Sequence, residues 1–368
     1  MASPKEVAPM NIINLDDNKI YQRCDPQGMI GHVNNMPDFC EEAWKSAKAF
    51  ELPEDYTGIN KVVILGMGGS AIGGDLLNSY VLNEAKVPII LQRDFTLPAF
   101  VDDNTLVIAS SCSGATEETL AAFEESLKTG AKKLAITTGG TLKPLAIEKN
   151  IPVFSYDHMA PPRAVLPFSL LPILSILQKL DIIGDKSQDV AEMVATLREL
   201  LKSINTNVPF KDNQAKQLAS SLYGHLPLIY GAEILSQVAH RWKTQFNENS
   251  KAWAFYEVFP ELNHNAVSGY DFPKDLARKI MIVMLRSPYL SQRIQTRYRL
   301  TCRLLDEARI KYHFVDGTGK SPLSHVMSTV MVGDYTSCYL AVLYGADPSP
   351  IKNIDFLKEH WKIPVSEL

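Results

Sequence analysis

Apolar and polar positions along this chain follow two periods. Short runs rich in branched apolar residues, at 61–66, 87–92, 105–110, 133–138 and 151–156, read as buried strands. Between them, segments with helical spacing begin near Ser70, Ala115 and Lys143. Another helical pattern at 36–49 carries Asp38, Glu41 and Glu42 early, where acids suit a helix start. A long apolar helix is predicted at 165–180, directly after Pro161, Pro162 and Arg163. Strands that alternate with helices through short connections predict an α/β fold whose mainly parallel sheet is flanked by helices. In such sheets ligands bind beyond the carboxyl ends of the strands.

A polar stretch at 181–188 then places a boundary near residue 185, giving domains 1–185 and 186–368. Past it the same grammar returns. Helical patterns at 190–202 and 213–222 lead to a strand at 227–230, a helix at 234–246, a strand at 279–285, a helix at 292–307, a strand at 312–315 and a helix at 325–343. A C-terminal segment runs from 351 to 361. The length of 368 residues fits two domains of roughly 100–200 residues each and predicts two cores rather than one. Element order, without local identity, suggests that the halves share a topology.

Composition narrows the function classes. Hydrophobic residues at 46% and charged ones at 21% are ordinary for a soluble globular enzyme. A formal net charge of -4 with no basic stripe gives no electrostatic case for nucleic acid or an anionic membrane. The start, MASPKEVAPM, lacks a signal-peptide pattern, and no apolar stretch is read as reaching the roughly 20 residues of a membrane span, so a cytoplasmic location is the expectation. Five scattered cysteines without a CxxC fit reduced thiols, and eight histidines without HxH or HExxH give no metal site.

Candidate chemistry concentrates at strand ends. Ser111, Ser113 and Thr116 lie within the run Ser111-Cys112-Ser113-Gly114-Ala115-Thr116, between the third strand and its helix. Helix N-terminal amides with added hydroxyls suit a phosphate, although a plain Ser/Thr cap explains the same residues. Cys112, a candidate nucleophile, has no base partner in the local sequence; a small filler is the alternative. The first strand ends in Gly66-Met67-Gly68-Gly69-Ser70. Read as Gly66-x-Gly68-x-x-Ala71, with Asp94 as a ribose acid, it meets a loose dinucleotide fingerprint. Two hydroxyl-bearing loops at strand ends of one sheet suit a compact phosphate better than a dinucleotide.

The second constellation is Gln245-Phe246-Asn247-Glu248-Asn249-Ser250-Lys251 followed by Phe259-Pro260-Glu261-Leu262-Asn263-His264-Asn265. Amides around a carboxylate and an imidazole suit a base, a proton donor and hydrogen bonds to substrate hydroxyls. Spacing does not choose between Glu248 and Glu261 as the base, and His264 reads equally as a capping histidine. Arg163, at a rigid turn, is either a placed cation or a surface arginine.

GMGGSAIGGD, SCSGATEETL, APPRAVLPFS, FNENSKAWAFYEVFPELNHN and DPSPIKNIDFLK, in this order from about Cys24 to Lys358, resemble the bifunctional phosphoglucose/phosphomannose isomerase family of sugar isomerase (SIS) domain proteins. The resemblance implies two SIS-type domains and an aldose–ketose isomerase that interconverts glucose 6-phosphate, and mannose 6-phosphate, with fructose 6-phosphate through a cis-enediol, without a cofactor. It implies that Gly68, Gly69, Ser70, Ser111, Ser113 and Thr116 hold the 6-phosphate. Glu248 is then the base, Arg163 stabilises the enediolate, and Lys358 lies near the ring oxygen. His264 assists ring opening from the neighbouring subunit of a homodimer with shared active sites. Ala266 departs from the family pattern, where an acidic residue is expected. The alternative from another class is a non-catalytic SIS-domain regulator that binds sugar phosphates; it has no need of Glu248 or His264.

Overall fold

The computed structural model describes residues 13–157 and 160–361, so the reading of MASPKEVAPM lies outside the described residues. Strands β1 (Lys61–Leu65), β2 (Ile89–Gln92), β3 (Thr105–Ser110), β4 (Lys132–Thr137) and β5 (Val153–Ser155) form one sheet in the order β2-β1-β3-β4-β5. Strands β6 (Leu226–Ala232), β7 (Phe255–Phe259), β8 (Ile280–Arg286) and β9 (Lys311–Asp316) form a second sheet in the order β7-β6-β8-β9. Every pairing in both sheets is parallel. That pattern follows from helical crossovers between the strands, and it explains why β3 reads as an unbroken apolar run: all six of its residues are buried.

The two sheets share a strand order. Each starts at an inner strand, steps out to one side, then returns past its starting strand. The order reverses between β1 and β3 in the first sheet and between β6 and β8 in the second. Ligands of open parallel sheets bind outside the strand ends at such a reversal. The loops leaving β1 and β3 are the glycine loop and the hydroxyl loop.

Most predicted elements are present with shifted ends. The glycine-loop helix spans Gly68–Val81, starting two residues before Ser70, and the hydroxyl-loop helix spans Glu117–Ser126, starting two residues after Ala115. The helix read at 234–246 is Ser236–Glu248, which makes Glu248 its last residue. Strand β7 has no counterpart among the predicted elements. Phe255–Phe259 lies at the sheet edge, and its exposed-to-intermediate burial before Phe259 gives it no core-facing alternation.

The two cores do not divide by domain. A small one, including Val63, Val107 and Phe123, lies on the first sheet, whereas a large one runs through both halves, from Leu15 to Val342. The helix Pro322–Leu343 lies at its centre, buried from Leu323 to Val342 and packed on the helices Ser187–Ile204 and Gln214–Leu222. Its 22 residues are also long and apolar enough to cross a membrane, contrary to the sequence reading, but 94% of that apolar window is buried within the fold. Internal Ser, Thr and Asp334 break up its apolar run in the sequence.

Helix contacts set the entrance to the site. A Cβ on Gly73 would sit 2.4 Å from Ser169 Oγ and 2.7 Å from the Ser169 carbonyl carbon, so the helices Gly68–Val81 and Pro167–Lys179 meet too closely for a side chain there. This contact holds the start of the glycine-loop helix beside the short 3-10 turn Pro162–Ala164.

Candidate active site

The two loops at the β1/β3 reversal meet directly. Ser70 is buried, and its Oγ accepts a hydrogen bond from the backbone N–H of Cys112 at 3.0 Å, while Ser110 Oγ donates to the Ser70 carbonyl at 3.2 Å. Ser111, also buried, donates from Oγ to Thr116 Oγ1 at 3.1 Å. Thr116 occupies the cap position of its helix, but its side chain makes no capping hydrogen bond. Ser113 is exposed, and its Oγ accepts from Ala115 N at 3.3 Å. Simple capping therefore does not account for this loop. The structure brings Ser70, Ser111 and Thr116 together beside a helix N-terminus, the arrangement that favours an anion. Burial pushes the Cys112 thiol above its ordinary range, which opposes a nucleophilic role.

The glycine loop continues to Arg163 through backbone. A Cβ on Gly69 would lie 3.1 Å from the carbonyl carbon of Pro162 and 3.2 Å from Arg163 N, so glycine lets the two segments touch. Arg163 is 3% exposed, which removes the surface-arginine reading. Its Nε donates to Asn249 Oδ1 at 2.7 Å, and its Nη2 donates to the carbonyls of Pro348 and Ser349 at 2.8 and 2.7 Å. The fork is thus aimed by fixed acceptors, leaving Nη1 toward Glu248 Oε2 at 3.5 Å. Burial lowers the Arg163 pKa, and the Glu248 charge opposes that shift.

Support for this turn comes from a buried ion pair. Arg241 Nη2 donates to Asp334 Oδ2 at 2.8 Å and to the Arg163 carbonyl at 2.7 Å. Both side chains are 1% exposed, and burial pushes the Asp334 carboxyl up against the pull of Arg241. Removing either partner would leave a charge stranded in the core.

Glu248 also opens onto solvent. It lines a cleft of about 760 Å³ together with Lys243, Lys251, Trp253, Phe255 and Ile351. Glu261 lies elsewhere: its Oε1 accepts from Asn265 Nδ2 at 2.8 Å on an exposed 3-10 turn. Geometry therefore separates the two carboxylates that spacing left level, since Glu248 is the one beside Arg163. His264 ends that 3-10 turn and is exposed, and Lys358 is exposed on the helix Lys352–His360; neither lines the cleft. Ala266 is half-buried and packs against the core. Among the described residues, no three His, Cys, Asp or Glu side chains gather as a metal-ligand set.

Several participants escape sequence reasoning. Asn249, which composition assigns to substrate hydroxyls, is fully buried between Arg163 and Ser337 Oγ, to which its Nδ2 donates at 2.9 Å. The carbonyls of Pro348 and Ser349 carry no sequence signal, because any residue supplies a carbonyl. The second sheet has its own version of the reversal. At the end of β6, Glu233 has φ +46°, near the +50° of Gly68. Its carboxylate accepts from the backbone N–H of Ser291, beyond β8, at 2.8 Å.

Residues 211–360 match the bacterial phospho-glucose isomerase C-terminal SIS domain. The chain is 41% identical to the bifunctional phosphoglucose/phosphomannose isomerase of Caldicellulosiruptor bescii, over 90% of this chain and 98% of that protein. It is 33% identical to the protein of the same name from Aquifex aeolicus, over 88% of this chain and 99% of the relative. In fold it is similar to a hypothetical protein from Thermus thermophilus, with a TM-score of 0.72, 16% identity, and coverage of 94% of this chain and 93% of that one.

Proposed function

Because this chain belongs to the bifunctional phosphoglucose/phosphomannose isomerase family, we propose that it interconverts glucose 6-phosphate and mannose 6-phosphate with fructose 6-phosphate. The observation that carries the mechanism is the approach of Glu248 Oε2 to Arg163 Nη1 at 3.5 Å, with the Arg163 backbone seated on Gly69 of the glycine loop. Gly68, Gly69, Ser70, Ser111, Ser113 and Thr116 hold the 6-phosphate, the inert end of the sugar. Binding energy gained there fixes C1 and C2 near the carboxylate. Glu248 takes the proton from C2 of the open-chain aldose and returns it to C1 of the cis-enediol, while the O2 hydroxyl proton passes to O1, so that the carbonyl moves from C1 to C2. Arg163 Nη1 meets the charge that develops on the oxygen. The reverse reaction uses the same groups, and epimers that differ only at C2 converge on one enediol.

A carboxylate and a guanidinium suffice for this proton transfer, so the test is a coupled assay in excess chelator. Fructose 6-phosphate is expected from both aldose phosphates. Tight hexose-phosphate binding without turnover would support the regulator instead, and product from only one aldose would remove the dual activity.

His264 and Lys358 complete the proposal in a homodimer. Both are exposed and stand off the cleft of their own chain, as suits residues offered to a second copy or to a bound sugar. His264 assists ring opening in the partner's site, and Lys358 serves the ring oxygen. Mixing Glu248→Gln and His264→Ala subunits under exchange conditions should then restore activity that neither variant has alone, because one site of each mixed dimer is intact. A confirmed mixed dimer without activity would rule out sharing.

A further inference from the structure

Lys251 has a backbone conformation that lysine does not favour. It lies just past the helix Ser236–Glu248 with φ +55°, the left-handed region in which helices commonly end on glycine. The chain closes over it, with Ser250 N and Ala252 N both donating to the Phe246 carbonyl, at 3.1 and 3.2 Å. Glycine would adopt this turn at lower cost. A side chain kept at such a point needs a reason, and its contacts supply one.

The Lys251 ammonium donates to the carbonyl of Glu248 and, at 3.1 Å, to the carbonyl of Pro348. The first bond alone is ordinary helix capping by a cation. The second is different, because Arg163 Nη2 donates to the same Pro348 carbonyl at 2.8 Å. Two cations from separate parts of the chain thus share one acceptor, and the Glu248 side chain faces the same cleft as Lys251. The residue as a whole is exposed, yet its ammonium is drawn in against these carbonyls.

Resting on the isomerase reading above, we propose that Lys251 is a positioning residue: it pins the Glu248 end of its helix to the Pro348 segment that also aims Arg163, and so fixes the carboxylate relative to the guanidinium. It acts through those two groups and not on the sugar. Burial first, then the Arg163 charge, lowers the Lys251 pKa to about 8, while Asp347, Glu248 and Cys338 oppose the shift. Lys243 and Lys352 also line the cleft, and burial holds the Cys338 thiol far above neutrality. The sign follows. The pinned, protonated form prevails below about pH 8, and its charge-assisted bonds weaken as pH rises through that value.

The test compares wild type with Lys251→Met, Lys251→Gly and Lys251→Arg. For Lys251→Met, kcat is expected to fall about 10- to 100-fold, the scale of a small misplacement of reacting groups, with little change in KM. The alkaline limb near pH 8 in the wild-type kcat profile should vanish in Lys251→Met. Lys251→Arg should restore most of the turnover and keep it above about pH 9, because a guanidinium stays charged there. Lys251→Gly relaxes the backbone and guards against a folding artefact: it should remain folded yet be as slow as Lys251→Met. Hydrogen exchange of the Asp347 and Ser349 amides, which flank Pro348, should speed up severalfold in Lys251→Met, a readout that needs no turnover. Near-normal kcat in both Lys251→Met and Lys251→Gly, or unchanged exchange in that segment, overturns the proposal. If wild type turns over no hexose 6-phosphate, the isomerase reading fails, while the exchange result still decides whether Lys251 pins the segment.

Discussion

Glu248→Gln is expected to lower kcat by about 10³- to 10⁴-fold, the upper part of the range for loss of a positioned general base, while glucose 6-phosphate still binds. The amide matches the carboxylate in shape but cannot accept a proton from C2. Phosphate affinity should survive, because the residues proposed to hold the 6-phosphate lie on the loops after β1 and β3, whereas Glu248 ends the helix Ser236–Glu248 of the other half. Steady-state rates, with calorimetric titration of the same variant, check both halves of the statement. A variant with near-normal turnover would transfer the base assignment away from Glu248. Solvent-proton exchange at C2 gives a sharper view, since a variant that cannot form the enediol should show none.

Arg163→Lys is the second large effect, although it keeps the charge. The guanidinium makes separate bonds to Asn249, Pro348 and Ser349 while directing Nη1 toward Glu248. An ammonium has three donors, no planar fork and a shorter reach. Turnover is expected to fall by about 10²- to 10³-fold, comparable to removing one oxyanion donor. Stability should fall too, since a buried acceptor left without its donor costs on the order of 1–3 kcal/mol. Thermal melts alongside kinetics would show both losses. Turnover within about tenfold of wild type would mean that charge alone, without the fork, serves the oxyanion.

How much of this is legible in the sequence depends on the range of the interaction involved. The two loops at β1 and β3 are readable because strand, hydroxyls and helix start are contiguous, and period alone marks them. Arg163 is readable as a rigid turn but not as a buried group. Its partners lie 86 positions away at Asn249 and 185 positions away at Pro348, and no local pattern announces such pairings. Glu248 and Glu261 are level by spacing and are separated by folding, which turns one toward Arg163 and the other toward Asn265. Strand β7 escapes notice because its residues sit between two amide-rich motifs, and an edge strand buries too little to show a clear alternation. The core shared by both halves is hidden for a related reason: the polar residues inside the helix Pro322–Leu343 interrupt its apolar run, but they bond to its own backbone or to neighbours, as Thr329 and Thr336 do to carbonyls one turn back.

Glu233 gives the repeated strand order a consequence for binding stoichiometry. In the first sheet the strand ends at the reversal present amides and hydroxyls for a visiting anion. In the second, the exposed Glu233 carboxylate follows the strand end and accepts from Ser291 N–H, so the chain's own carboxylate already occupies that donor. Under the proposed function one phosphate is held per chain, at the first sheet, while the second half carries Glu248 at the end of the helix that follows β6.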